Sequence, residues 1–222
     1  MPKNLRPVKG MNMEGVIARW YARNTVANRH AFRAEAVRYA ARLPDGASVL
    51  EIAPGPGYLA IELAKLGNFR IAGIDYSHTF VDICRANAKA AGAAAEFRQG
   101  DAAHLPFEDG SFDFVVCRAA FKNFGDPVGA LNEMHRVLRP AGAAVIVDMR
   151  KDASNRAIAQ EVATMNQGWF NAMMTRGALR SLRGRAYSRA DFERMIAQTP
   201  FGADIREDGI GFEITLTKPG SA

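Results

Sequence analysis

Apolar and polar residues recur along this chain with two periods, and the switch between them marks its elements. Strands are predicted at 48–53, 70–74, 94–99, 112–117 and 143–148. The run Phe112 to Cys117 is apolar on both faces, as a central parallel strand requires. Between the strands lie helical stripes: Leu59, Ile61, Leu63 and Leu66 within 57–66, a segment over 78–91, and Val128, Leu131, Met134, Val137 and Leu138. Ser77 and Asp126 suit N-cap positions, and Pro127 suits the first helical one. Asp208-Gly209 separates two closing strands, 203–208 and 211–217.

Two segments stand outside this alternation. After a loose tail, residues 12–42 are helix-like, with Trp20, Tyr21, Val26, Phe32, Val37 and Tyr39 giving an apolar side; Pro44-Asp45-Gly46 ends them. Residues 151–187 carry Val162, Met165, Trp169 and Met173 at helical spacing, widened by Phe170 and Met174. Such a stripe serves either core packing or an apolar substrate pocket. Ser188-Arg189-Ala190-Asp191 is a capping box that opens one more helix, to about Gln198.

Composition narrows the picture only a little. The 222 residues are 48% hydrophobic, enough for one domain with a cap. The net charge is +6. Between Val162 and Ala190 there is no acid, yet Arg176, Arg180, Arg183, Arg185 and Arg189 occur. That bias suits a solvated basic face or an anionic partner. No RNA-binding signature accompanies it, which argues against nucleic acid. Cys84 and Cys117 form no metal-ligand or disulfide pattern, no apolar run is long enough to span a membrane, and the first ten residues lack a signal-peptide core. These features predict a reducing, cytoplasmic setting, with peripheral association at a membrane surface as the alternative.

The candidate chemistry starts at Val49 to Ala64, VLEIAPGPGYLAIELA. A strand runs into Pro54-Gly55-Pro56-Gly57, and a helix follows. Glycines allow close backbone approach to a ligand, and the helix start offers free N–H groups. Gly55, Gly57 and Ala60 satisfy G-x-G-x-x-A, a weak signal by itself. Glu51 lies inside the strand end, where a carboxyl needs a cation or N–H donors.

The pattern Glu51-x-Ala53-x-Gly55-x-Gly57 resembles motif I of class I S-adenosylmethionine-dependent methyltransferases. The resemblance continues through Ile71 to Ser77, Gly100 to Phe107, Phe112 to Cys117 and Leu138 to Gly142, in order over about residues 45–150. It is strongest to the small-molecule, type 11-like branch. It implies a Rossmann-like α/β fold: a seven-stranded, mostly parallel sheet with an antiparallel last strand and helices on both faces. It also implies an organisation into an N-terminal helical lid (1–44), a cofactor-binding core (45–150), a helical substrate cap (151–187), and a last helix with a closing hairpin (188–222).

By the same resemblance the cofactor is S-adenosylmethionine and the product S-adenosylhomocysteine. The implied cofactor residues are Tyr21, Glu51, Ala53, Gly55, Gly57, Asp75, Tyr76, Ser77, Asp101, Ala102 and Arg118. Asp75, at a strand's carboxyl end about twenty residues past the glycine turn, suits a ribose diol, and equally a cap on the next helix. Asp101 and Ala102 take the adenine-recognising positions. Lys122 and Asn123 follow the fourth strand, where quinone C-methyltransferases carry an Arg-Asn pair. With Asp148, at the end of the fifth strand, they are the candidate catalytic residues. Surface and turn roles remain open for Lys122 and Asn123, and a loop cap for Asp148. No metal is predicted. The alternatives are a nicotinamide-dependent oxidoreductase, against which the blocks at 100–107 and 138–142 argue, and a non-catalytic S-adenosylmethionine-binding protein. The acceptor is expected to be a small molecule, aromatic or anionic, and the sequence is silent on oligomeric state.

Overall fold

The computed structural model describes residues 13–25, 29–165 and 168–220; Val26, the tail and the side chain of Phe170 lie outside the described set. Seven strands form one sheet in the order β3-β2-β1-β4-β5-β7-β6. They are β1 (Ser48–Ile52), β2 (Arg70–Asp75), β3 (Ala95–Gln99), β4 (Phe112–Arg118), β5 (Leu138–Met149), β6 (Gly202–Asp208) and β7 (Gly211–Thr217). β7 is antiparallel to both its neighbours, and the remaining strands run parallel. The predicted sheet and closing hairpin are therefore present.

Among the described residues there are eight α-helices: α1 (Gly15–Thr25), α2 (Arg29–Ala40), α3 (Tyr58–Ala64), α4 (His78–Ala91), α5 (Pro127–Val137), α6 (Asn155–Thr164), α7 (Trp169–Arg183) and α8 (Arg189–Ile196). Both faces of the sheet are covered. Leu50, Ile52, Val115, Ile146 and Ile214 pack against Leu131, Met134 and Phe192 of α5 and α8. Val49, Ile71, Val116 and Val145 pack with Ala36, Tyr39, Leu59 and Val81 on the side of α2, α3 and α4. Strands with a helix on each face are apolar on each face, which is why their sequences read as runs rather than alternations.

Three expectations need correction. β5 begins at Leu138, not at 143, because the chain leaves α5 directly into extended backbone. An irregularity opposite Phe112 to Phe114, with Ala141 at φ 63°, absorbs the extra residues. The stripe from Val162 to Met173 is split between α6 and α7: Val162 is buried, but Met165, Trp169 and Met173 are exposed. The N-terminal apolar side is also divided. α1 buries Ala18 and Ala22 while exposing Trp20 and Tyr21; α2 buries Ala36 and Tyr39 while exposing Val37. α1 packs against α4, where Tyr21 meets Phe80, while Val16 and Trp20 stay exposed.

The start of α1 is anchored by Glu14. Its carboxylate accepts hydrogen bonds from His78 N (2.9 Å), Thr79 N (3.2 Å) and Thr79 Oγ1 (2.5 Å), at the first turn of α4. α2 is held to α3 by Glu62, whose carboxylate meets Arg33 at 3.2 Å and Lys65 at 3.2 Å. Burial raises the pKa of Glu62, but hydrogen bonds from Lys65 and Arg33 outweigh it and leave the carboxyl below its usual range.

Candidate functional site

The carboxyl ends of the parallel strands open on one cleft of about 310 Å³. It lies where the strand order reverses, β1 having β2 on one side and β4 on the other. Ligands of open α/β sheets bind at such a point. Ile52 and Ala53 come from the end of β1, Asp75 to Ser77 from β2, Gly100 to Ala102 from β3, and Arg118 to Ala120 from β4. Tyr21 of α1 and Leu182 of α7 close it from two sides.

Two of the strand ends share an unusual backbone. Ala53 and Ala119 have φ of 55° and 57°, a left-handed conformation that costs a non-glycine residue roughly 1 kcal/mol. Each is held by a short hydrogen bond: Ala53 N to Ile74 O at 2.7 Å, and Ala119 N to Val147 O at 2.6 Å. The chain turns sharply out of β1 and β4 at these points, and both residues face the cleft.

The glycine turn is braced from α4. Cys84 Sγ donates to Gly55 O at 2.9 Å and Asn87 Nδ2 to Pro56 O at 2.8 Å. Two carbonyls are thereby held on the α4 side. Gly57 is the N-cap of α3 at φ 77°, and a Cβ there would stand 3.0 Å from Cys84 Sγ. No side chain of the turn caps α3. That role falls to Glu51, which accepts from Ala60 N at 2.9 Å from within β1.

Glu51 is 3% exposed, and burial pushes its pKa up to about 8. Burial thus favours the neutral form of the side chain, which accepts from Ala60 N through a single oxygen. Glu51→Gln keeps that oxygen, and the expected change in urea-unfolding stability is below about 1 kcal/mol. Glu51→Ala leaves Ala60 N without a partner and costs about 1–3 kcal/mol. Equal losses for both variants would sink this account.

Asp75 accepts two backbone N–H bonds, Gly55 N to Oδ2 at 3.1 Å and Ser77 N to Oδ1 at 2.9 Å. Each oxygen retains a lone pair, and the residue lines the cleft. Such a carboxylate can accept from two neighbouring hydroxyls. Ser77, not Asp75, is the N-cap of α4, accepting from Phe80 N. Burial pushes the pKa of Asp75 up to about 7, against the opposing pull of the Ser77 and Gly55 N–H groups.

Asp75 and Glu51 together predict a pH dependence. The folded protein holds both protons more tightly than the unfolded chain, whose carboxyls titrate near 3.8 and 4.5. Their contribution to stability is complete below those values and is lost as pH climbs through about 7 and 8. The urea midpoint of the unliganded protein is expected to fall between pH 5 and pH 8; a rise would contradict the burial of these groups.

Asp101 lines the cleft, with Oδ1 accepting from Ala103 N at 3.0 Å. Tyr76, Ser77 and Ala102 border it too. Arg118 lies on the same wall, but its guanidinium is directed to Glu35 Oε2 at 2.8 Å and over the Phe32 ring at 4.9 Å, both on α2. Tyr21 meets Phe80 edge to face at 5.9 Å between centroids. Lys122 and Asn123 belong to a 3₁₀ turn, Phe121–Asn123, and both line the cleft. Lys122 is buried: Nζ donates to Asp148 Oδ1 at 2.8 Å and to Ala119 O at 2.5 Å. Asp148 also accepts from Lys122 N and Met149 N. Asn123 Oδ1 is buried with no hydrogen-bond partner among the described residues.

Three predicted site residues do not border the cleft. Glu51 and Gly57 support the turn, and Asp148 stands behind Lys122. Cys117 is fully buried, and burial raises its thiol pKa well above the ordinary value, so it is no nucleophile. The cleft also includes Met13, Phe80 and Leu182, which the sequence reading did not name, and Arg185, which it named only for its charge. The Arg118–Glu35 link joins residues 83 apart in the chain, and no local pattern could have signalled it.

The family model described as "Methyltransferase domain" matches residues 50–146. A demethylmenaquinone methyltransferase of Deinococcus radiodurans is 39% identical over 127 residues, 57% of this chain and 51% of that protein. One of the same name from Mycolicibacterium paratuberculosis is 35% identical over 152 residues, 67% of this chain and 62% of that protein. This chain thus spans about half the length of the first of these relatives. Among solved structures, a protein described as a putative S-adenosyl-L-methionine-dependent methyltransferase from Methanococcus maripaludis superposes with a TM-score of 0.72 at 21% identity, over 100% of this chain and 99% of that one. The glycine turn, the acids closing β2 and β3, the strand order and these matches agree: residues 50–146 are similar to the methyltransferase-domain family, and the chain has the Rossmann-like fold of such proteins.

Proposed function

We propose that this chain is an S-adenosylmethionine-dependent methyltransferase acting on a small aromatic acceptor of quinone type. One observation carries the cofactor reading: Gly55, Asp75 and Asp101, from three consecutive strand ends, border a single cleft. The fit is supported by three features. The volume lies within the usual range of ligand pockets. A Cβ on Gly55 would stand in van der Waals contact with Tyr21, 3.9 Å away, so the bare glycine at φ 55° keeps the backbone of the turn open on the side that Tyr21 covers. The two Asp75 oxygens keep acceptor capacity for a diol.

In this reading Asp75 holds the ribose, Asp101 accepts from the adenine amino group, and Ala102 N donates to a ring nitrogen. Tyr76, Ser77 and Ala53 border the nucleoside. Tyr21 closes over the remaining part as residues 1–44 act as a lid. Arg118, fastened to Glu35, ties that lid to the sheet. When bound, the cofactor supplies an electrophilic methyl group on a sulfonium, with a neutral thioether as leaving group. The chain's own work is then to position the acceptor in line and exclude water.

Asn123 Oδ1 accepts from a hydroxyl of the acceptor. Lys122 fixes the turn that carries Asn123, and Asp148 positions Lys122. Residues 151–187 complete the acceptor side through Leu182. The acceptor class rests on the relatives, which are named for demethylmenaquinone.

Calorimetric titration with S-adenosylmethionine, S-adenosylhomocysteine and NAD tests the cofactor assignment. Micromolar binding of the two sulfur compounds and no heat from NAD is expected. Binding of NAD alone would overturn the assignment.

A further inference from the structure

Two helices of this chain turn their large apolar side chains outward. α1 buries Ala18 and Ala22 and leaves Val16 79% and Trp20 59% exposed, with Ile17 beside them. α7 packs inward through Leu179 and Leu182 and leaves Trp169 79% exposed, with Met173 and Met174 also outside. Neither helix contains an acid; α1 carries Arg19 and Arg23, and α7 carries Arg176, Arg180 and Arg183. Both reach the cleft, through Tyr21 and Leu182. No helix among the described residues is long and apolar enough to cross a membrane.

We propose that α1 and α7 form one docking surface for an anionic lipid bilayer and turn the cleft mouth towards it. Exposed apolar area of this kind marks an interaction site. Tryptophan favours the headgroup level, and an acid-free helix with arginines beside exposed apolar side chains is the pattern of an interfacial helix. Arginine meets lipid phosphate through bidentate hydrogen bonds. Charge selects this occupant over a second copy. A two-fold interface would set two arginines of α1 and three of α7 against the same set, with no acid on either helix to offset them. An anionic surface neutralises all of them.

The chain's two tryptophans, Trp20 and Trp169, both lie on this surface and report on it directly. Vesicles of phosphatidylcholine, with and without phosphatidylglycerol, are mixed with the full chain. With phosphatidylglycerol present, tryptophan emission shifts to the blue and is quenched by brominated acyl chains, and high salt reverses both effects. Arg176→Gln/Arg180→Gln weakens vesicle binding by about twenty-five-fold, roughly fivefold for each guanidinium. Trp169→Ser/Met173→Ser weakens it without changing the melting temperature of the free protein. Binding that ignores phosphatidylglycerol, salt and both double variants overturns the proposal. Absence of vesicle binding overturns it as well, and self-association in sedimentation that Trp169→Ser/Met173→Ser abolishes would then assign the surface to a second copy. No cofactor takes part, so this outcome is separate from that of the titration above.

Discussion

Asp148→Asn is expected to lower unfolding stability by about 3–5 kcal/mol, the usual cost of removing one partner from a buried ion pair. Lys122 and Asp148 are 5% and 4% exposed and meet at 2.8 Å. Asparagine has one acceptor oxygen and can keep either the Lys122 N bond to Oδ2 or the Met149 N bond to Oδ1, so the variant loses one backbone acceptor together with the counter-charge of a buried ammonium. In a chain of this size the melting temperature should drop by roughly 10 °C. The double variant Lys122→Met/Asp148→Asn removes the stranded charge along with its partner, and most of the loss should be recovered. Urea titration of the two single variants and the double variant measures the coupling. A loss below about 1 kcal/mol for Asp148→Asn would mean that water screens the pair, and the positioning role of Asp148 would go with it.

Asp75→Ala should weaken S-adenosylhomocysteine binding by about a hundredfold. Two hydrogen bonds to a charged acceptor are lost, each worth roughly 1.5 kcal/mol at the low end. Asp75→Asn keeps one carbonyl oxygen and should fall between the variant and the parent. Because burial lifts the pKa of Asp75 to about 7, affinity should also strengthen as pH rises through that value, and the slope should vanish in Asp75→Asn. Calorimetry at three pH values reads both effects. Near-unchanged affinity in Asp75→Ala would leave Asp75 as a brace between Gly55 and Ser77 and remove it from the ribose.

Much of the sheet was legible because central strands and capped helices carry local signals. Ser77, Asp126 and Ser188 cap helices as their sequence positions predicted. Length at the ends of elements was less legible. Nothing in Leu138 to Gly142 announces that Ala141 adopts a left-handed φ and that the segment joins β5. Periodicity carried across the α6–α7 junction because spacing alone cannot register a break between two helices. Polar partners were the least legible. Glu51 needed donors, but its partner Ala60 N is fixed only once α3 folds back over β1. Asp75 presented a choice between ligand and backbone; it braces two N–H groups and retains lone pairs towards the cleft, because a carboxylate has capacity for both.

The place of β7 has a consequence for biosynthesis. It is the last strand among the described residues, yet it lies inside the sheet, between β5 and β6. Until residues 211–217 have left the ribosome, the edge of β5 from Ala143 to Met149 has no partner. That segment is largely apolar and would template pairing with another nascent chain. A stop codon or frameshift ahead of these residues leaves the cleft residues of β1 to β4 untouched, and should nonetheless yield an aggregating product rather than a soluble, weakened one.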